Sequence, residues 1–191
     1  MNDILFYFSI GWDHIMSWDA LDHLLFLLAL IAMYEFRNWK QVLILVTAFT
    51  IGHSLTLLLS VLDIVRFPNN WVEFLIPCTI IITALLNFTK KNQTKNIHIN
   101  YIIAFLFGLI HGMGFANTIR FMLASDQHIG TGLFGFNIGL EAGQIGVVLF
   151  ILLIEYFLVR QLKLNKRIWV FLLSAGTFAL ALKMAIERLP I

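Results

Sequence analysis

The stretch QVLILVTAFTIGHSLTLLLSVL, residues 41–62, decides the fold class, because it runs for 22 residues with His53 as its sole ionisable side chain. At a rise of about 1.5 Å per residue such a run makes a helix as long as the hydrocarbon core of a bilayer, roughly 30 Å. Extending that measure outward gives five more spans, at 20–36, 72–89, 100–120, 132–160 and 167–187. Polar breaks at Arg37–Lys40, Arg66–Asn70, Lys90–Asn96, Ser125–His128 and Lys163–Arg167 separate them. The chain therefore reads as one all-α domain over 1–191, a polytopic transmembrane bundle of six spans. Residues 2–18 form a shorter segment, apolar from Ile4 to Ile10 and then polar at Trp12, Asp13 and His14, which reads as an N-terminal interfacial or re-entrant helix.

Composition agrees. Of the 191 residues 60% are hydrophobic and 13% charged, with a mean hydropathy of +0.86, whereas a soluble domain carries about 25% charged residues. Solvated enzymes and nucleic-acid binders are excluded; the surrounding partner is the lipid bilayer, and a homo-oligomer is compatible with it. The single cysteine, Cys78, rules out a disulfide framework and a thiolate-rich metal site. The start of the chain has no basic n-region, so the spans themselves are expected to direct insertion. All five tryptophans fall near span ends, where amphipathic rings prefer the headgroup level.

Lys and Arg accumulate on cytoplasmic loops. Nine of the thirteen, Arg37, Lys40, Lys90, Lys91, Lys95, Arg160, Lys163, Lys166 and Arg167, fall on one side, which predicts that both termini lie outside. The other side collects Asp3, Asp13, Asp19, Asp22, Asp63, Glu73, Asp126 and Glu187, and an acidic mouth there would concentrate cations.

A polar or ionisable side chain within a span is costly and marks function by default. Span one opens with Asp22 and His23. Span two has Thr50, His53, Thr56 and Ser60 on one helical face, span four has His111, and span five has Asn137, Glu141 and Gln144 on one face. Counted from the outer helix ends, His53, His111 and Glu141 lie at similar depth, with Asp22 and His23 above them. Glycines at 108 and 112 and at 135, 139 and 143 let the helices approach closely. Imidazole and carboxylate together suit nickel, zinc, cobalt or iron. Phe49-x-x-x-His53 and Phe107-x-x-x-His111 echo each other, but the flanks do not align, so the echo is suggestive only.

From Gly11 to Ile145 the chain resembles the HupE/UreJ family of bacterial membrane proteins. The matching motifs are Asp22-His23-Leu24-Leu25-Phe26, Phe49-Thr50-x-x-His53-Ser54-x-Thr56, Glu73 opening span three, Phe107-Gly108-Leu109-x-His111-Gly112-x-Gly114-Phe115-Ala116, and Phe136-Asn137-x-Gly139-x-Glu141-x-Gly143-Gln144. The resemblance implies a multi-pass protein of the bacterial inner membrane, associated with hydrogenase or urease gene clusters and serving as a permease for nickel or a related metal. It places metal handling on His14, Asp22, His23, His53, His111 and Glu141, with Ser54, Thr56, Glu73, Asn137 and Gln144 around them. Seven residues separate His14 from Asp22, a wider spacing than the family pattern.

Two functions lead on these residues, beside a third, a metal-sensing or accessory subunit, for which the short loops offer little partner surface. One is a transporter or binding protein for a divalent transition metal ion in the outer half of the bundle. The other is a zinc-dependent intramembrane hydrolase, with three protein ligands, a bound water and Asp22 or Glu141 moving protons. The apolar inner halves of spans one, two and four count against simple permeation.

Overall fold

The computed structural model describes residues 3–89, 97–123 and 129–190. Among them are α1 (Asp3–Met16), α2 (Leu21–Ile31), α3 (Trp39–Val61), α4 (Asn69–Thr89), α5 (Ile97–Leu123), α6 (Ile129–Glu155) and α7 (Lys166–Glu187), and no strand. The expected breaks at Lys90–Asn96 and Ser125–His128 lie outside the described residues.

Five helices are long and apolar enough to cross a membrane, α3 through α7. The expected first span differs. Helix α2 has 11 residues, about half a bilayer at about 1.5 Å per residue, and it joins α1 through a bend of 69°, a pair whose length and composition fit one broken span or a re-entrant loop. Ser17 adopts an extended conformation and Trp18–Ala20 form a single 3-10 turn, which breaks the helix. The segment expected as an interfacial or re-entrant helix is thus α1, packed along α6.

Close packing follows from glycine. A Cβ added to Gly52 or Gly108 would lie 2.2 Å from the Phe105 carbonyl oxygen or 2.1 Å from that of Phe49, so α3 and α5 touch backbone to backbone. Contacts advance together along both helices, Phe49 with Gly108 and His53 with Gly112, so the pair is parallel. Helices α1 and α6 are a second parallel pair, with Ile4 against Gly135, Phe8 against Gly139 and Ile15 against Gly143.

One end of the bundle is fixed around Tyr34. Lys166 Nζ donates to the Tyr34 carbonyl at 2.6 Å and to Glu155 Oε1 at 2.9 Å, while Phe36 N donates to Glu155 Oε2 at 3.3 Å. Glu155 is only 2% exposed. Lys166→Met would strand that carboxylate, and since removing one partner of a buried pair costs roughly 3–5 kcal/mol, a loss near the lower figure is expected because Lys166 is partly solvated. Thermal unfolding in detergent checks this, and the double variant with Glu155→Gln should recover part of the loss.

The apolar core falls into two clusters. One, toward the Tyr34 end, gathers Phe26, Leu30, Val42, Phe49, Ile80 and Leu152; the other gathers Tyr7, Ile15, Leu57, Ile119, Phe136 and Leu140. His53 lies on α3 between Phe49 and Leu57, and a layer of polar side chains separates the two clusters.

Candidate metal centre

Four helices deliver that layer. His14 ends α1, Asp22 and His23 open α2, His53 is central in α3 and His111 in α5. The break between α1 and α2 takes up the wide spacing from His14 to Asp22 and turns the two histidines toward each other, with ring centroids 5.0 Å apart. The close pass of α3 and α5 fixes the other two, since a Cβ on Gly112 would stand 2.4 Å from the His53 carbonyl oxygen.

One ligand atom from each of His14, His23 and His53 lies within 4.8 Å of the others. A single zinc ion with bonds of about 2.1 Å spans at most about 4.2 Å between two donors, so modest ring rotations bring these three together. His111 stands beside His23, ring centroids 5.0 Å apart, outside that tightest group of three.

Hydrogen bonds aim the rings. His23 Nδ1 lies 2.9 Å from Asp22 Oδ1; a carboxylate only accepts, so Nδ1 carries the proton and Nε2 keeps its lone pair. Thr79 Oγ1 donates its proton to the Ile76 carbonyl at 2.7 Å and lies 2.9 Å from His111 Nε2. His111 Nε2 must therefore donate, which leaves the Nδ1 lone pair free.

Five ring nitrogens are left without a hydrogen-bond partner: His14 Nε2, His23 Nε2, both nitrogens of His53 and His111 Nδ1. His53 and His111 are 0% exposed. Each orphaned buried polar group costs roughly 1–3 kcal/mol; a neutral imidazole offers one lone pair, so a single ion would take up four of the five, one from each ring. Phe26 lies 5.0 Å and Phe49 5.2 Å from the His111 ring, and Phe115 lies 4.2 Å from that of His14. These apolar walls strengthen any charge interaction inside.

The other expected site residues are placed differently. Glu141 accepts from Thr47 Oγ1 at 2.6 Å and is not in the converging group. Gln144 Oε1 accepts from Thr50 Oγ1 at 2.7 Å, while Gln144 Nε2 and Asn137 Oδ1 have no partner. Ser54 and Thr56 donate to carbonyls of their own helix, Thr50 and Gly52, and Glu73 is exposed. Three of the acids expected at the outer mouth meet cations: Asp63 pairs with Arg66 and Arg120, Glu187 with Lys183, and Asp22 Oδ2 lies 3.5 Å from Arg188. The Arg66 hydrogen bond holds the Asp63 carboxyl below the usual carboxylate range. The side chains of Asp3, Asp19 and Asp126 lie outside the described residues.

Comparison with protein families supplies the remaining observation: residues 1–188 match the family model described as HupE / UreJ protein. The chain belongs to the HupE/UreJ family. Comparison with curated proteins and with solved structures gave no match. The layer of imidazoles is the feature of this HupE/UreJ chain that suits a transition metal.

Sequence reading missed Thr79 and Arg188 as partners of the layer. Thr79 left a faint trace, since Thr79 and Thr83 put two hydroxyls on one face in the apolar middle of their span. Thr79→Val keeps the shape and removes the acceptor that orients His111. Loss of such an orienting group typically lowers metal affinity about 10–100-fold, and isothermal titration of the purified variant should show a fall of that size, together with a lower melting temperature of the metal-free protein from the His111 Nε2–H left unpaired, roughly 1–3 kcal/mol.

Proposed function

We propose that this HupE/UreJ protein binds a divalent transition metal ion, nickel, zinc, cobalt or iron, through His14, His23, His53 and His111, and that it serves as a permease for that metal. The observation that carries the reading is the set of five buried ring nitrogens with no partner. Asp22 and Thr79 act behind the ligands, as the orienting shell that such sites require. Glu141 and Gln144 form a neighbouring polar layer, since Thr47 and Thr50 engage their side chains.

The hydrolase alternative needs a carboxylate free to move protons next to the ligands. Asp22 is engaged by His23 and Arg188 and Glu141 by Thr47, so the arrangement does not favour it. Arg37, Lys40, Arg160, Lys163, Lys166 and Arg167 gather at the Tyr34 end, and the positive-inside rule makes that end cytoplasmic in an inner membrane, with both termini outside.

Elemental analysis of gently purified protein, followed by titration of the metal-free form with Ni(II), Zn(II), Co(II) and Fe(II) in turn, tests the reading. One bound ion per chain is expected. A metal-free protein that none of the four ions binds would overturn it.

A further inference from the structure

Three pairs of helices carry matching sequence signatures once their packing sets the register. Helix α1 has Phe8-x-x-Gly11-x-x-His14-x-Met16 and α5 has Phe105-x-x-Gly108-x-x-His111-x-Met113. Helix α3 has Phe49-Thr50-Ile51-Gly52 and α6 has Phe136-Asn137-Ile138-Gly139. Helix α4 has Trp71-Val72-x-x-Leu75-x-x-x-Thr79 and α7 has Trp169-Val170-x-x-Leu173-x-x-x-Thr177. The chain order α1, α3, α4 matches the order α5, α6, α7. Helix α2 is the insertion that shifts one set against the other, which is why a fixed period finds no repeat.

The contacts repeat as the sequences do. A Cβ on Gly11 would lie 2.0 Å from the Phe136 carbonyl oxygen, and one on Gly139 2.0 Å from that of Phe8. Gly108 and Phe49, and Gly52 and Phe105, make the same reciprocal crossing at 2.1 and 2.2 Å. The motif Phe-x-x-Gly thus builds two crossings of one design. Helices α4 and α7 pack on each other, as one equivalent pair must across a two-fold axis.

Direction completes the pattern. Asn100, near the start of α5, donates to Tyr34 Oη at 3.1 Å, while Glu155, the last residue of α6, accepts from Phe36 N. Helices α3, α5 and α7 therefore begin at the Tyr34 end and α6 finishes there. Asn87, near the end of α4, donates to Ser174 Oγ at 3.1 Å in the first half of α7, so α4 also finishes there. Parallel to α6, α1 runs toward that end as well. Each helix of the first set runs opposite to its counterpart.

We propose that the chain consists of two three-span repeats of inverted topology, residues 3–89 and 97–187, and that they rock against each other so that the histidine layer opens to each side of the membrane in turn. Resting on the reading of that layer as a metal site, this makes the protein an alternating-access carrier. Membrane carriers of inverted design hold their substrate near the midplane, between the repeats and at broken helices. Here His14 and His111 occupy equivalent positions, one from each repeat, and the break between α1 and α2 supplies His14 and His23. Polar side chains continue from the closed layer in both directions. Thr50 and then Thr47 step along α3 toward the Tyr34 end, hydrogen-bonded across the contact of the two repeats to Gln144 and Glu141 of α6, and Thr56, Ser60 and Asn117 line a small cavity at the other. The apolar inner halves expected from the single helices are thus bypassed along α3 and α6.

Two experiments on the full chain, both in a Cys78→Ser background, test the proposal. Asn70→Cys and Ile168→Cys sit at equivalent positions near the starts of α4 and α7. A membrane-impermeant maleimide should label them from opposite faces of sealed vesicles, and labelling from one face overturns the inverted repeat whether or not metal binds. In proteoliposomes offered Ni(II), Zn(II), Co(II) or Fe(II) singly, a disulfide between Asn87→Cys and Ser174→Cys should abolish uptake, leave the number of bound ions unchanged, and release its block on reduction. Bridging Phe88→Cys to Phe171→Cys with a short bifunctional thiol reagent should do the same at an exposed pair whose native rings are 5.8 Å apart. Undiminished uptake with either bridge closed, or an unbridged protein that binds metal without transporting it, overturns the carrier. A protein that binds no metal fails the reading of the histidine layer instead, and the labelling result still decides the repeat.

Discussion

His53→Ala is expected to lower the affinity for a transition metal by about 100-fold or more, the upper end of what even an orienting partner contributes, while the metal-free protein stays folded. Both ring nitrogens of His53 lack a hydrogen-bond partner in a side chain that is 0% exposed. Truncation therefore removes no hydrogen bond, and it relieves the desolvation of two orphaned polar atoms, which offsets part of the cavity left behind. A ligand at 100 times its dissociation constant stabilises the folded state by about 2.7 kcal/mol, so metal should raise the melting temperature of the wild type and leave that of His53→Ala where it is. A metal-induced shift of wild-type size in the variant would remove His53 from the site. Glu141→Gln is expected to stay close to wild type in affinity, because Gln retains an acceptor for Thr47.

Those two positions looked alike in the sequence, and the reason they separate is geometric. Counting residues from a helix end gives depth, which is one coordinate, and by that count alone His53, His111 and Glu141 come out alike. Which neighbour a side chain meets depends on the rotation of each helix about its axis, and α6 turns Glu141 onto Thr47. His23, His53 and His111 stood out as candidates because an imidazole in hydrocarbon has so few acceptable partners. Thr79 was not, because a hydroxyl in a span usually satisfies itself on its own backbone, as Thr83 does here with the Thr79 carbonyl. The spans from α3 to α7 were legible from length and hydropathy, with ends displaced by a few residues. The broken first crossing was not: its halves flank the polar stretch Trp12–Asp19, so one half reads as a surface helix and the other as a full span. His14, a candidate in the sequence through the family resemblance alone, comes within 5.0 Å of the His23 ring through that break.

Gly112→Ala is expected to damage both the fold and the site, and the comparison with Gly176→Ala makes the cause explicit. The added methyl would stand 2.4 Å from the His53 carbonyl oxygen and 3.0 Å from the His53 Cα and carbonyl carbon. No side chain can rotate away, because every obstructing atom is backbone, so α3 and α5 must separate. Overpacking of this kind typically costs about 1–3 kcal/mol, and a contact with rigid backbone on both sides belongs at or above the upper figure. The separation opens directly between His53 and the residue that follows His111, so metal affinity should fall together with the melting temperature. Gly176 lies inside α7 with nothing within 4 Å of its would-be Cβ; there alanine should stabilise by about 0.5–1 kcal/mol through helix propensity alone, with affinity untouched. A Gly112→Ala protein that melts lower yet binds metal as the wild type does would mean that the close pass of α3 and α5 holds the bundle together without setting the distance between its ligands.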